Sequence, residues 1–238
     1  MTHPWLAPLV VVIAVAFTTL SSIIIRLSLA PPVVISAWRM IIASALLVPL
    51  AAGNAVSRRR ADRIRPPATR TRVRTVLLLV LSGLFLALHF AAWITSLSYT
   101  SVLHSTVLVT IHPLIVLFAS ALIFQQPVTR VRGAATVIAF VGAIVLASGG
   151  SISGRAPTLY GDLLALLGGV AVAGYLMIGG WARHHVSASQ YNLAVHSVAA
   201  VALIALAAAF GRPLWPYPPR EFALFAALAF FCTILGHS

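Results

Sequence analysis

Long apolar runs separated by short polar or basic segments make up most of the chain. A helix rises 1.5 Å per residue, so roughly 20 apolar residues cross the hydrocarbon core of a bilayer, which is about 30 Å thick. The pattern therefore predicts an all-α integral membrane protein with eight transmembrane helices. These are Trp5–Ile25, Val33–Ala52, Thr75–Ser96, Val102–Phe124, Gly133–Ala147, Leu163–Trp181, Tyr191–Phe210 and Phe222–Ser238.

Two of these helices come from one continuous uncharged stretch. Residues Thr75 to Thr129 contain no Asp, Glu, Lys or Arg, and the stretch is too long for a single crossing. The polar cluster Ser96–Ser101 supplies the turn that divides it. Prolines such as Pro31 and Pro32 mark other connections between helices.

Composition supports a membrane location. Hydrophobic residues form 61% of the chain and charged residues 8%, whereas about 25% of the residues of an ordinary soluble domain are charged. A soluble fold of this size could not bury so much apolar surface, because much of its surface still faces water. The lipid bilayer is therefore the expected environment.

The distribution of arginine predicts the orientation of the helices. With eight crossings, eleven of the sixteen arginines lie on connections that share the side of the N-terminus, four lie on the other side, and Arg39 lies inside a helix. Short basic loops stay in the cytoplasm, so we expect a cytoplasmic N-terminus in the plasma or inner membrane. The net charge of +13 is then explained by topology and anionic lipid, and nucleic-acid binding is not expected.

The most basic connection, Gly53–Arg74, contains eight arginines in 22 residues. It could act as a switch that binds lipid or a partner. The favoured interpretation is a solvated segment that anchors the topology.

The sequence contains an internal repeat, and its second copy begins near Tyr160. Leu88-His89-Phe90 in the third predicted helix has a counterpart in Gly236-His237-Ser238 in the eighth. A repeat of five helices has an odd number of crossings, which turns the second copy upside down, as in many transporters. We expect a first repeat at residues 1–150 and a second, with three helices, at 158–238.

Several stretches in this order resemble the drug/metabolite transporter superfamily, and specifically its EamA-domain proteins. The resemblance implies ten helices in a 5+5 inverted repeat, of which this chain would hold about eight, so it is expected to be C-terminally incomplete. It also implies alternating access and export of amino acids, other metabolites or drugs. The stretches are Ala37–Leu50, Leu88–Val102, Ile111–Phe118, Tyr160–Leu166 and Thr233–Ser238.

Polar side chains inside lipid are costly, so each is a candidate for function. Arg39 lies about six residues, or roughly 9 Å, inside one end of the second predicted helix. Its guanidinium either faces a cavity and binds an anionic group of the substrate, such as a carboxylate, or extends to the nearby lipid headgroups.

The remaining candidates lie in the third and fourth predicted helices. His89 and Trp93 are four residues apart and share one face. His112 lies near mid-depth beside a break expected at Pro113, and interrupted helices there often form substrate sites. We predict a substrate-binding cavity bounded by Arg39, His89, Trp93, His112 and Pro113. The alternative for each histidine is an interhelical hydrogen bond that supports packing.

The sequence favours a membrane transporter of a small-molecule substrate, with no cofactor or metal expected and a homodimer left open. One alternative is a truncated membrane remnant that does not transport. Another is an intramembrane enzyme, but Ser82-Gly83 lacks the preceding glycine of a Gly-x-Ser-Gly nucleophile turn, so no enzymatic activity is expected.

Overall fold

The computed structural model describes residues 20–64, 69–122, 125, 128–148, 158–182 and 185–234, with the backbone alone at 54–64, 69–71, 143 and 146–148. Secondary structure in these ranges is helical, without strands. The helices are α1 (described at 20–27), α2 Pro32–Ile64, α3 Thr69–Ser96, α4 Val102–Val109, α5 His112–Leu122, α6 Arg130–Ser148, α7 Leu159–Ala182, α8 Ala188–Ala209 and α9 Pro219–Ala227, which continues as a π-helix, Leu228–Ile234.

Five segments in the described ranges are long and apolar enough to cross a bilayer. They are Pro32–Gly53, Arg72–Ser96, Val102–Leu122, Leu159–Ala182 and Ala188–Ala209. Each coincides with a helix predicted from the sequence. α6 overlaps the predicted helix Gly133–Ala147, α9 with its π-helix overlaps Phe222–Ser238, and most of Trp5–Ile25 lies outside the described residues. The prediction of an all-α, multi-pass membrane protein is confirmed.

The helices on either side extend into the basic connection Gly53–Arg74, beyond the predicted bounds Ala52 and Thr75. α2 continues to Ile64 and α3 begins at Thr69, so the backbone of the arginine-rich segment is largely helical. Arginine and alanine are both strong helix formers, and the first proline pair after Gly53 is Pro66-Pro67. Two transmembrane helices therefore extend past their apolar parts and carry the arginines with them.

The fourth crossing is interrupted at Thr110 and Ile111, between α4 and α5. Pro113 is the second residue of α5, where proline is tolerated because the first amide groups of a helix have no intrahelical acceptor. The crossing is thus two short helices, as the proline suggested.

α3 lies at the centre of the bundle, where it packs against α7 and α8, while α2 packs against α8 and the π-helix. Small residues permit this packing. A Cβ added at Gly83 of α3 would lie 2.5 Å from the Cβ of Val198 and 2.9 Å from the carbonyl oxygen of Val195, both on α8. Close approach at small residues is typical of membrane helices, where packing replaces the hydrophobic effect.

The bundle has two ends, named here after their connections. At the α3–α4 end, Thr100 donates a hydrogen bond of 2.8 Å to Asp162 of α7, and Arg26 donates one of 3.1 Å to the Thr100 carbonyl. Also at this end, Ser28 donates to the buried carboxylate of Glu221 in α9. At the α2–α3 end, the Arg74 guanidinium lies 5.4 Å from the ring centroid of Trp181. Contacts between distant parts of the chain thus hold both ends.

We predict that Gly83→Ala lowers the melting temperature of the detergent-purified protein by several degrees. The added methyl group cannot fit against Val198 without displacing α8, and overpacking of this kind costs about 1–3 kcal/mol. The matched control is Gly142→Ala on α6, where a Cβ meets no atom within 4 Å and the melting temperature should be unchanged or slightly higher. Equal effects of the two substitutions would contradict the described α3–α8 packing.

Candidate functional site

Arg39 occupies the interior of the bundle. It is the eighth residue of α2, and its side chain is 0% exposed. Its Nε donates a hydrogen bond of 2.7 Å to Thr233 Oγ1, and its Cζ lies 4.3 Å from the ring centroid of Phe90 on α3. The guanidinium therefore points into the bundle and not toward the lipid headgroups.

Most of the hydrogen-bonding capacity of this guanidinium is unused. Nη1 and Nη2 are both buried and have no hydrogen-bond partner among the described residues. A guanidinium has five N–H donors and stays charged, and a cation–π contact contributes only about 0.5–2 kcal/mol. A buried charge with so few partners is costly in hydrocarbon.

The acidic side chains in the described part of the chain are engaged elsewhere. Asp162 accepts from Thr100, and Glu221 accepts from Ser28 and from the Leu29 amide. Glu221 precedes Thr233 by twelve residues, roughly 18 Å along a helix. Neither carboxylate therefore compensates the charge of Arg39.

Thr233 connects Arg39 to the π-helix. Its hydroxyl donates a hydrogen bond of 3.2 Å to the Leu228 carbonyl, five residues earlier, and accepts from Arg39 Nε. Cys232, which precedes Thr233 on the π-helix, is also buried. π-Helical turns are rare and occur frequently at functional sites.

The aromatic ring beneath Arg39 belongs to a cluster on α3. The centroid of the Phe90 ring lies 4.7 Å from that of His89 and 6.4 Å from that of Trp93. His89 donates through Nδ1 to the Gly168 carbonyl of α7 at 2.9 Å, which is an interhelical hydrogen bond. The Trp93 Nε1 is buried without a hydrogen-bond partner among the described residues. The structure thus brings Arg39, His89 and Trp93 together around one ring.

His112 and Pro113 lie in a different place. His112 donates through Nδ1 to the Val109 carbonyl at 3.0 Å, which satisfies a backbone group at the interruption between α4 and α5. With Arg132 of α6 and Leu176 of α7, both residues line a cavity of about 340 Å³.

α7 separates the two groups of predicted residues. A Cβ added at Gly168 would meet His89 and Trp93, whereas one at the adjacent Gly169 would meet Val109 and Ile111, beside His112. Neighbouring helical residues point about 100° apart. The structure therefore does not bring His112 and Pro113 to Arg39.

His196 was not among the site residues predicted from the sequence. It is 1% exposed on α8 and donates through Nδ1 to the Asn192 carbonyl at 2.7 Å. The criterion that selected His89 would have selected His196, because both are polar residues inside an apolar run. Phe90 and Thr233 carry no such signal, since an apolar ring and a threonine are ordinary in membrane helices.

A cavity of about 740 Å³ lies beside this cluster, toward the α3–α4 end. Leu88 and Ala92, the sequence neighbours of His89 and Trp93, form part of its wall on α3. The α1–α2 and α3–α4 connections, α7, the end of α8 and the connection after it complete the wall. The walls are mostly apolar, and Arg212 is the charged residue that lines it.

A second set of buried polar side chains joins three helices in the half of the bundle toward the α2–α3 end. Tyr191 of α8 donates its hydroxyl proton to the Tyr175 carbonyl of α7 at 3.2 Å. Ser82 of α3 therefore donates the 2.6 Å hydrogen bond that joins it to Tyr191. Three helices meet at one hydroxyl.

Apolar helices long enough to span a bilayer, packed around a buried cation and polar side chains, define a multi-pass membrane protein with an internal polar site. The sequence model of the EamA-like transporter family matches residues 5–148, more than half of the chain, and the chain belongs to this family. Searches of the curated proteins and of the solved structures found no match.

Family membership confirms the resemblance and gives the general function. The protein is a membrane transporter of small molecules, embedded in the lipid bilayer, and its family is one of transporters and not of enzymes. Buried polar residues in the bundle are then candidates for contact with the transported molecule.

We predict that Thr233→Val lowers the melting temperature of the purified protein by several degrees. Valine preserves the shape of the side chain but removes the acceptor of Arg39 Nε, and an unsatisfied buried donor costs about 1–3 kcal/mol. Thr136→Val is the control, because the Thr136 hydroxyl is exposed and donates only to the Arg132 carbonyl of its own helix. A loss no larger than that of the control would show that this hydrogen bond adds nothing to stability.

Proposed function

We propose that the protein is an exporter of small metabolites, amino acids or drugs that works by alternating access between two inverted repeats, 1–150 and 158–238. The observation that carries the proposal is the fully buried Arg39, whose two terminal nitrogens have no partner among the described residues. The described contacts offset only part of the cost of burying this charge, so a ligand with the complementary charge would bind to it favourably. Arg39, His89 and Trp93 form the substrate site.

The packing of helices supports the inverted repeat. In a five-helix repeat, α2 and α8 are equivalent, and they pack against each other. The third helix of each repeat begins next to the end of the first helix of the other. Arg74 at the start of α3 contacts Trp181 near the end of α7, and Arg220 at the start of α9 donates to the Leu27 carbonyl at the end of α1. This reciprocal pairing is what a two-fold axis in the membrane plane produces.

The site lies at the junction of the two repeats. Arg39 and Phe90 come from the first repeat, whereas Thr233 comes from the second. A displacement of one repeat against the other therefore changes the surroundings of the guanidinium directly. Alternating access requires such a site, because the substrate must be released when the bundle changes its open side.

Polar contacts between the repeats also occur on both sides of this site. Ser82 and Tyr191 join them toward the α2–α3 end, and Thr100 and Asp162 join them at the α3–α4 end. Single hydrogen bonds of this kind contribute only about 1 kcal/mol each, so either set can open. The arginine bias supports an orientation in the plasma or inner membrane with the α2–α3 end and the N-terminus in the cytoplasm.

We predict that proteoliposomes containing the protein release preloaded small metabolites faster than protein-free liposomes. The loading mixture contains labelled amino acids, organic acids and an amphipathic drug. Arg39→Gln should reduce the rate at least about tenfold, since it removes a charge-assisted contact with the substrate.

The matched control is Arg26→Gln, because Arg26 is exposed and donates to the Thr100 carbonyl at one end of the bundle. This variant should retain most of the rate. Release no faster than from empty liposomes would contradict the proposed function, and equal losses in the two variants would remove Arg39 from the site.

A further inference from the structure

The charges around Arg39 restrict the chemistry of the ligand. We propose that the site selects an organic monocarboxylate with an apolar body and discriminates against zwitterions, dianions and neutral analogues. The inference rests on the proposed transport function and names the substrate class of the same site.

One negative charge matches the fixed charge that the structure provides. Nη1 and Nη2 of Arg39 are buried donors without partners, and a carboxylate accepts from two guanidinium N–H groups at once. His196 of α8 uses its Nδ1 proton for the Asn192 carbonyl. Arg212 lies in the connection from α8 to α9, at the α3–α4 end, so a second carboxylate at the depth of Arg39 would have no described cation beside it and would retain its desolvation cost.

An ammonium group on the ligand would lack a counter-charge. The described carboxylates, Asp162 and Glu221, lie at the α3–α4 end and are committed to Thr100 and to Ser28. An amino acid would therefore place its ammonium beside a guanidinium and not beside an acid. Like charges in a medium of low dielectric constant repel strongly, so a zwitterion binds more weakly than the matching monoanion.

The adjacent cavity has the same character. Its walls are formed mainly by aliphatic and aromatic side chains, among them Leu88, Leu206 and Phe210, and the charge it presents is that of Arg212. A carboxylate is attracted into such a cavity, an apolar body is accommodated by its walls, and a cation is repelled. Two separate parts of the structure thus favour the same class of molecule.

The test is a binding series with the full chain in nanodiscs, using probes that share one phenyl group and differ in charge. They are 3-phenylpropionate, L-phenylalanine, 3-phenylpropanamide and phenylsuccinate. We expect the Kd for 3-phenylpropionate to be at least about tenfold lower than that of each other probe, since one charge-assisted contact is worth roughly that factor. Equal or tighter binding of L-phenylalanine, or no binding of 3-phenylpropionate, would overturn the proposal.

Cys232 locates the binding site without altering Arg39. It is the single cysteine and directly precedes Thr233, which accepts a hydrogen bond from Arg39, so bound 3-phenylpropionate should slow its modification by a thiol reagent several-fold, while the amide should not. Binding without protection of Cys232 would place the ligand elsewhere and overturn the proposal. In the Arg39 variants, Lys should retain part of the selectivity for the monoanion and Gln should lose it.

Competition between dodecanoate and 3-phenylpropionate distinguishes a carboxylate that reaches the site from the bilayer from one that reaches it from water. Stronger binding of either ligand is consistent with a monocarboxylate site.

Flux measurements separate this proposal from the transport function. Preferred movement of L-phenylalanine through the protein would overturn the substrate class and leave transport intact. Binding of 3-phenylpropionate without flux of any probe would support the site and contradict transport.

Discussion

The desolvation of one positive charge constrains the whole bundle. An arginine at the centre of a membrane helix costs about 2.5–3.5 kcal/mol in insertion experiments and more in simulations. Arg39 is enclosed by α2, α3 and the π-helix, with one hydrogen bond and one aromatic ring as its described contacts. The fold must hold this charge, and these contacts offset only part of its cost. A ligand with the complementary charge would offset the remaining desolvation cost, which would contribute to its binding free energy.

The helix packing positions this charge through small residues. Gly83 lets α3 approach α8 closely, and Gly168 lets α7 approach His89 and Trp93. Larger residues at these positions would separate the helices and admit lipid or water to the guanidinium. The hydrogen bond from His89 to the Gly168 carbonyl joins α3 to α7, and it leaves room for the proposed role of His89 in substrate binding. The two interpretations of His89 are therefore compatible.

The sequence predicted the membrane crossings well, because the length and polarity of an apolar run determine whether it can span a bilayer. α2 and α3 extend into Gly53–Arg74 beyond the predicted bounds Ala52 and Thr75, because those bounds followed the apolar residues, whereas arginine and alanine also favour a helix. His112 was grouped with Arg39 because both lie well inside the membrane, but which helix lies between them depends on packing at Gly168 and Gly169. The role of Thr233 depends on the π-helix, and no pattern in the sequence predicted a π-helix at this position.

Buried Arg39 does not stabilise the fold relative to an apolar side chain at the same position, and a thermal denaturation experiment tests this most directly. Arg39→Met replaces the charge by an apolar side chain, and such replacements of buried ions are often neutral or stabilising by about 1–4 kcal/mol. The ligand-free variant should therefore unfold at the same or a higher temperature than the ligand-free wild type. A melting temperature several degrees lower would show that Arg39 stabilises the bundle through its described contacts and would contradict this account.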